Sequence, residues 1–356
     1  MALAGKIMSI VIAGCCSIPL FADTVLLEEA AFEAGTKEKV FLSELGRLEL
    51  VPGATEGTYI SPELELPAFT ALVASWNAQT EKHSSVELEA RIKVDGKWSR
   101  FFTYGIWSSD ASVRQGNSGQ QEDEIASIDI DTILPAGEVP GSGAQLRLTL
   151  RRTDTKQPSA SLSLLAVTVC PVNSSADNAS IFPEKVLEVP RRMQSVVPKI
   201  GDVICSPTSV AMVLEYYGAK LPTENVAEMM LMPDAEEPIY GNWSYNAAGA
   251  SEYGFKSYVG CFSMSDLAEA IAADKPVVVS FGNRKPLPEA VEEKREIPLP
   301  HHLSVLTGFS KGEDGNWYVH INDPAMGDLE KVPRKFLLKD FLQAWSRYVY
   351  IVEPQI

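Results

Sequence analysis

Apolar and polar residues alternate one by one through much of the first half of the chain. Val86-Glu87-Leu88-Glu89-Ala90-Arg91-Ile92, Ile128-Asp129-Ile130-Asp131 and Leu146-Arg147-Leu148-Thr149-Leu150-Arg151 each send every second side chain to one face. A period of two fits an extended strand half-buried on a sheet and does not fit a helix, whose period is 3.6. Turn signals separate the runs: Asp95-Gly96, Gly116-Asn117-Ser118-Gly119 and Gly141-Ser142-Gly143. Short strands between tight turns, over residues 40–170, predict an all-β sandwich.

The pattern then changes. Residues 171–184 contain the small polar run Asn173-Ser174-Ser175-Ala176-Asp177-Asn178 and read as a linker. Beyond it a helix follows Cys205, and a second is expected over Asp266–Ala273 with Ser265 as its cap. Strand-like runs come next: Val277–Phe281, Leu303–Phe309, Trp317–Asn322 and Tyr348–Val352. Helices followed by antiparallel strands predict an α+β domain. The expected organisation is therefore a leader (1–22), a β-sandwich (23–170), a linker (171–184) and an α+β domain (185–356). Two domains suit a chain of 356 residues. The net charge of −16, with no basic cluster, argues against a nucleic-acid partner, because phosphate binding needs Lys and Arg.

The leader reads as an export signal. One positive charge, Lys6, precedes the apolar stretch Ile7, Met8, Ile10, Val11 and Ile12. That stretch is far shorter than the roughly 20 residues a spanning helix needs, so no spanning membrane segment is expected. Two processing sites compete. Leu20-Phe21-Ala22 would precede a cut before Asp23. Ile12-Ala13-Gly14-Cys15 resembles a bacterial lipoprotein signal, in which Cys15 would carry a lipid anchor. Either places the protein outside the cytoplasm: extracellular, periplasmic or anchored to the cell envelope.

The segment from Cys205 to Gly218 carries the chemistry. Val210, Val213, Leu214 and Tyr217 form one apolar helical stripe. Pro207 suits the first turn and Gly218 the position just past the last. Cys205 thus sits at a helix N-terminus, where unpaired N–H groups and the helix dipole favour a thiolate. A thiolate nucleophile needs a base, and the chain has four histidines: His83, His301, His302 and His320. His301 and His302 open a strand that a polar turn joins to Trp317-Tyr318-Val319-His320-Ile321-Asn322-Asp323. If Ser310 opposes Gly315, His302 opposes Asp323, and opposed side chains share a face. Such a carboxylate would orient the imidazole. His320 sits farther along the same face in that register and reads as packing.

Five cysteines are present. In an oxidising compartment Cys170 and Cys261 are able to pair and leave Cys205 free. Their positions do not establish that they meet, and two buried small apolar side chains is the preferred reading. No Cys-x-x-Cys or His-x-x-x-His pair occurs, so neither a metal nor another cofactor is expected.

Cys205-Ser206-Pro207-Thr208-Ser209 with Tyr216-Tyr217-Gly218, then His302-Leu303 before Gly308-Phe309, then Asn322-Asp323-Pro324-Ala325, resembles the C39-like family of cysteine peptidases, over roughly Val186 to Pro354. The resemblance implies a papain-like fold with Cys205 as nucleophile, His302 as general base and acid, and Asp323 as the residue that orients His302. It also implies an oxyanion-holding glutamine upstream of the cysteine, for which Gln194 is the candidate. His301 replaces a glycine common in the family, and the hairpin register favours His302 as the base. Gly241-Asn242-Trp243-Ser244 also matches, so Trp243 and Ser206 are expected to border bound substrate. The N-terminal half, through Trp76, Trp98 and Trp107, resembles the β-sandwich that precedes this domain in some exported bacterial proteins. The three tryptophans would either form a glycan or cell-surface platform or, as preferred here, lie in the core. The run 284–300 reads as a loop beside the active site or a surface insertion.

The leading expectation is an exported peptidase acting on peptide or protein substrates. Two others stand beside it: a binding protein with a degenerate peptidase-like domain, and an acyl transferase using the same three residues.

Overall fold

A computed structural model of the chain describes residues 23–117, 121–172, 181–233, 237–282 and 302–355, together with the backbone of 7–9. The rest of the expected leader, with Cys15, the turn at Ser118-Gly119, the polar run 173–178, the run 284–300 and His301 lie outside the described residues.

The N-terminal half is strand-rich, as alternation predicts. Its frame is β1 (Thr24–Glu28), β2 (Leu64–Gln79), β3 (Ser84–Val94), β4 (Gly141–Arg152) and β5 (Ser161–Pro171). β4 pairs with β3 along its whole length, and β5 lies between β2 and β1. The two layers are continuous because β2 passes from one to the other. Leu64–Phe69 pairs with the start of β4, and Phe69–Gln79 pairs with β5. The crossing needs a glycine at 141, where a Cβ would lie 2.3 Å from the Phe69 ring. Leu88, Leu146, Leu148 and Leu150 fill the space between the layers, all fully buried. Trp76 and Trp107 are also fully buried, so they are core residues and form no exposed platform with Trp98.

The C-terminal half is α+β. Four helices, α1 (Cys205–Tyr216), α2 (Thr223–Met230), α3 (Trp243–Glu252) and α4 (Met264–Ala272), precede or interleave with six strands. These are β6 (Phe255–Cys261), β7 (Val277–Phe281), β8 (His302–Lys311), β9 (Trp317–Asn322), β10 (Pro333–Leu337) and β11 (Trp345–Pro354). A short helix, α5 (Leu338–Ala344), joins β10 to β11. The sheet runs β6-β11-β7-β8-β9-β10, antiparallel throughout, and Lys185–Val186 pairs with the far part of β8. α1 packs on β8, burying Val210, Val213 and Leu214 with Val305 and Phe309. α4 starts earlier than expected: Ser263, not Ser265, caps it, in a reciprocal box with Asp266. The box satisfies two N–H groups at once, which Ser265 inside the first turn has no means to do.

The halves share their cores. Tyr245 of α3 is inserted against Trp76 and Trp107, with ring centroids 5.9 and 5.3 Å away, and its hydroxyl donates to Gln115 O at 2.6 Å. Leu26, Val73, Leu164 and Ala166 of the sandwich belong to the C-terminal core. A disulfide joins Cys170 on β5 to Cys261 on β6. This corrects the preference for two unpaired cysteines. Their sequence separation of 91 hid the fact that β5 and β6 pack side by side across the boundary. Among the described residues, no helix is long and apolar enough to cross a membrane.

Candidate active site

Cys205 is the first residue of α1, and the helix begins without a side-chain cap on Ile204. The N–H groups of the first turn are therefore open to another acceptor. The backbone N–H of Ser206 and that of Leu303 both point to the thiol, which is partly exposed and is the free cysteine among the described residues. β8 begins at His302, whose imidazole is 7 % exposed. Asp323 follows β9 directly and is 1 % exposed, anchored by its N–H to Val332 O at 2.8 Å. His302 Nε2 lies 2.7 Å from Asp323 Oδ1, and the imidazole is also hydrogen-bonded to Cys205. With Nε2 committed to Asp323, Nδ1 is the nitrogen left for the thiol.

The hairpin differs from the expected register. Lys311 pairs with Trp317, a bulge follows at Thr307, and Val305 pairs with Asn322. His302 is thus offset from Asp323 by two positions. An even offset keeps both side chains on one face, because the strand period is two, and a diagonal pair is within reach of an imidazole. His320 does not share that face as expected: it is three positions from Asp323, and an odd spacing along the chain puts it on the opposite side. There it pairs with Ser310 Oγ at 2.7 Å, and burial holds it below the ordinary histidine pKa.

The charges of the three groups depend on one another. Burial pushes the Cys205 thiol up, but the hydrogen bond and charge of His302, with the two backbone N–H groups, bring it below the ordinary thiol value. Burial pushes His302 down, yet Asp323 and the Cys205 thiolate raise it to about 9. Burial likewise opposes ionisation of Asp323, and His302, the Ala325 N–H and Arg334 overcome it, leaving its pKa below the usual carboxylate range. All three changes favour a thiolate beside an imidazolium.

Residues 186–352 match the Peptidase C39-like family. The C-terminal domain belongs to that family. Residues 30–170 match the peptidase C39 N-terminal domain. No curated protein matches the chain. Among solved structures the chain is similar to the peptidase domain of Streptococcus ComA, a bi-functional ABC transporter involved in a quorum sensing pathway. The identity is 18 %, over 49 % of this chain and 100 % of that one, with a TM-score of 0.32.

The C39-like domain holds the other predicted residues in different ways. Gln194 is buried beside the Asp323 loop, its N–H donating to Pro324 O at 2.9 Å, and its side-chain Oε1 has no hydrogen-bond partner among the described residues. Ser206 does not border substrate. Its side chain is fully buried, hydrogen-bonded to Asn246 Oδ1 at 2.9 Å and the Tyr350 hydroxyl at 3.2 Å. Only the Ser206 backbone N–H serves the thiol. The Trp243 ring is half-buried against Tyr350, 4.5 Å between centroids, and the Trp243 backbone N–H donates to Asp131 of the sandwich. Sequence reasoning missed Arg334, whose Nη1 lies 3.3 Å from Asp323 Oδ2. A signal existed: Val332 and Phe336 are buried at a spacing of two on either side of it, so Arg334 falls on the buried face and needs an anion there.

Proposed function

We propose that the protein is an exported cysteine peptidase that hydrolyses peptide or peptide-like amide bonds, with Cys205, His302 and Asp323 as its catalytic residues and Gln194 as oxyanion helper. The hydrogen-bonded series Cys205–His302–Asp323, at a helix N-terminus, supports this. His302 takes the thiol proton, and the thiolate attacks the amide carbonyl carbon. The resulting oxyanion accepts hydrogen bonds from the Gln194 amide and the Cys205 backbone N–H. As the C–N bond breaks, His302 protonates the departing amine and leaves an acyl-enzyme. Water, deprotonated by His302, attacks the thioester, and a carboxylic acid leaves as Cys205 is restored. The Cys170–Cys261 disulfide supports export, since such bonds persist in oxidising compartments.

Iodoacetamide labelling of the mature protein across pH, with the adduct located by mass spectrometry, tests the pair. Cys205 is expected to react at pH 6 and to lose that reactivity in His302→Ala. Reaction only near the ordinary thiol pKa of about 8.5 would remove the basis for the proposal. A peptide library, with Cys205→Ala as control, then tests hydrolysis: new carboxyl termini indicate a peptidase, whereas new amide linkages indicate a transferase.

A further inference from the structure

We infer that Arg334 is a positioning residue for this site, holding the Asp323 carboxylate charged and turned so that Oδ1 faces His302; the inference rests on the catalytic roles proposed above. Asp323 is almost wholly buried, and its two oxygens are used differently. Oδ1 receives His302 Nε2 at 2.7 Å and the Ala325 N–H at 3.0 Å. Oδ2 receives Arg334 Nη1 at 3.3 Å. The sheet sets this arrangement. Arg334 on β10 pairs directly with Ile321 on β9, and Asp323 is two residues farther on, so the three share one face. The guanidinium also lies over the Phe336 ring, 4.8 Å from its centroid, which fixes the side chain from behind.

Burial is the largest influence on Asp323, and it favours the protonated form. A neutral Asp323 stabilises no imidazolium, and without the imidazolium the Cys205 thiolate loses its counter-charge. The charged and titratable groups facing this carboxylate are His302 from β8, Cys205 beyond it from α1, and Arg334 from β10. α5, packed on β9 and β10, carries a further buried carboxyl, Asp340. Arg334 reaches neither the thiol nor the substrate carbonyl in this scheme. It acts through Asp323.

The pH dependence of Cys205 alkylation tests this without needing a substrate. The midpoint is to be measured for the wild type, Arg334→Gln, Arg334→Lys, Asp323→Asn and the double variant Asp323→Asn/Arg334→Gln, each with its melting temperature. Arg334→Gln is expected to move the midpoint to a pH about 1 higher, the low end of what an opposite charge does to a carboxylate. Arg334→Lys is expected to move it less, and Arg334→Gln to add nothing in the Asp323→Asn background. A midpoint unchanged in Arg334→Gln, or an equal rise with Asp323 already replaced, overturns the inference while leaving the catalytic roles intact. If Arg334→Gln does not fold, a midpoint that rises tenfold or more in hydroxide concentration in folded Arg334→Lys, which keeps the charge, overturns it instead. A wild-type midpoint near 8.5 removes the catalytic roles and this inference together.

Discussion

Cys205 and Gln194 do separable work in the proposed mechanism, and each has its own signature. The thiolate–imidazolium pair exists between the lowered pKa of Cys205 and the value of about 9 for His302. Hydrolysis is therefore expected to decline as pH rises through about 9. The raised histidine pKa also links to stability. A histidine raised above its unfolded value stabilises the fold fully below about 6.5, and that contribution is lost as pH rises towards 9. Denaturant titrations of wild type and His302→Gln should therefore converge at alkaline pH. Gln194 has no place in the ion pair. Gln194→Ala is expected to lower kcat by about 10²–10³ while Cys205 still alkylates at pH 6. Loss of both would show Gln194 to be structural. The residues legible in the sequence were those whose chemistry depends on local position: Cys205 by its helix start, His302 and Asp323 by the parity of a hairpin. Ser206 misled for the same reason. Its neighbour Cys205 faces His302, and one residue along a helix turns the side chain by about a hundred degrees, here into Asn246 and Tyr350.

Elements whose boundaries are written in local chemistry were also legible. Pro207 and Gly218 bracket α1, and Gly218 takes the left-handed conformation (φ +99°) expected just beyond a helix C-terminus. Strand register was not legible, because the loop length and the bulge at Thr307 are set by packing rather than by the turn residues. Gly308 shows what that packing demands. A Cβ there would lie 2.1 Å from Lys185 O and 2.6 Å from Val186 Cα, so any side chain must displace the short strand Lys185–Val186. That strand leads to Val189, whose carbonyl accepts from Asn322 Nδ2 at 3.0 Å, and then to Gln194. Gly308→Ala is expected to cost about 1–3 kcal/mol, the usual range for overpacking, and to reduce hydrolysis as strongly as Gln194→Ala. Urea denaturation with parallel rate measurements checks both. A stable variant with full activity would mean that the Lys185–Val186 strand does not carry Gln194 to the site.

At the scale of the whole molecule the two halves behave as one body, and no local pattern announces it. Asp131 of the sandwich accepts the Trp243 N–H at the start of α3, and burial raises its pKa to about 7. An acid raised in the folded state stabilises the fold fully below its unfolded value, near 4, and that contribution is lost as pH rises through about 7. Asp131→Asn lacks this loss. Its stability relative to wild type is expected to grow by up to about 4 kcal/mol between pH 4 and pH 8 in denaturant titrations. A constant difference would mean that Asp131 is ionised throughout. The disulfide acts on a different state. Joining Cys170 to Cys261 closes a long loop and restricts the unfolded chain, an effect of about 2–4 kcal/mol. Other contacts hold the folded interface beside it: Tyr245 is inserted against Trp76 and Trp107, and the Lys256–Glu28 ion pair, at 2.7 Å, spans the halves. Replacing both cysteines by serine is therefore expected to lower the melting temperature while leaving kcat at 25 °C within about twofold of wild type. Measured together, the two quantities separate a brace on the unfolded chain from a contact the site requires. A fall in kcat without a fall in melting temperature would assign the disulfide to the active conformation instead.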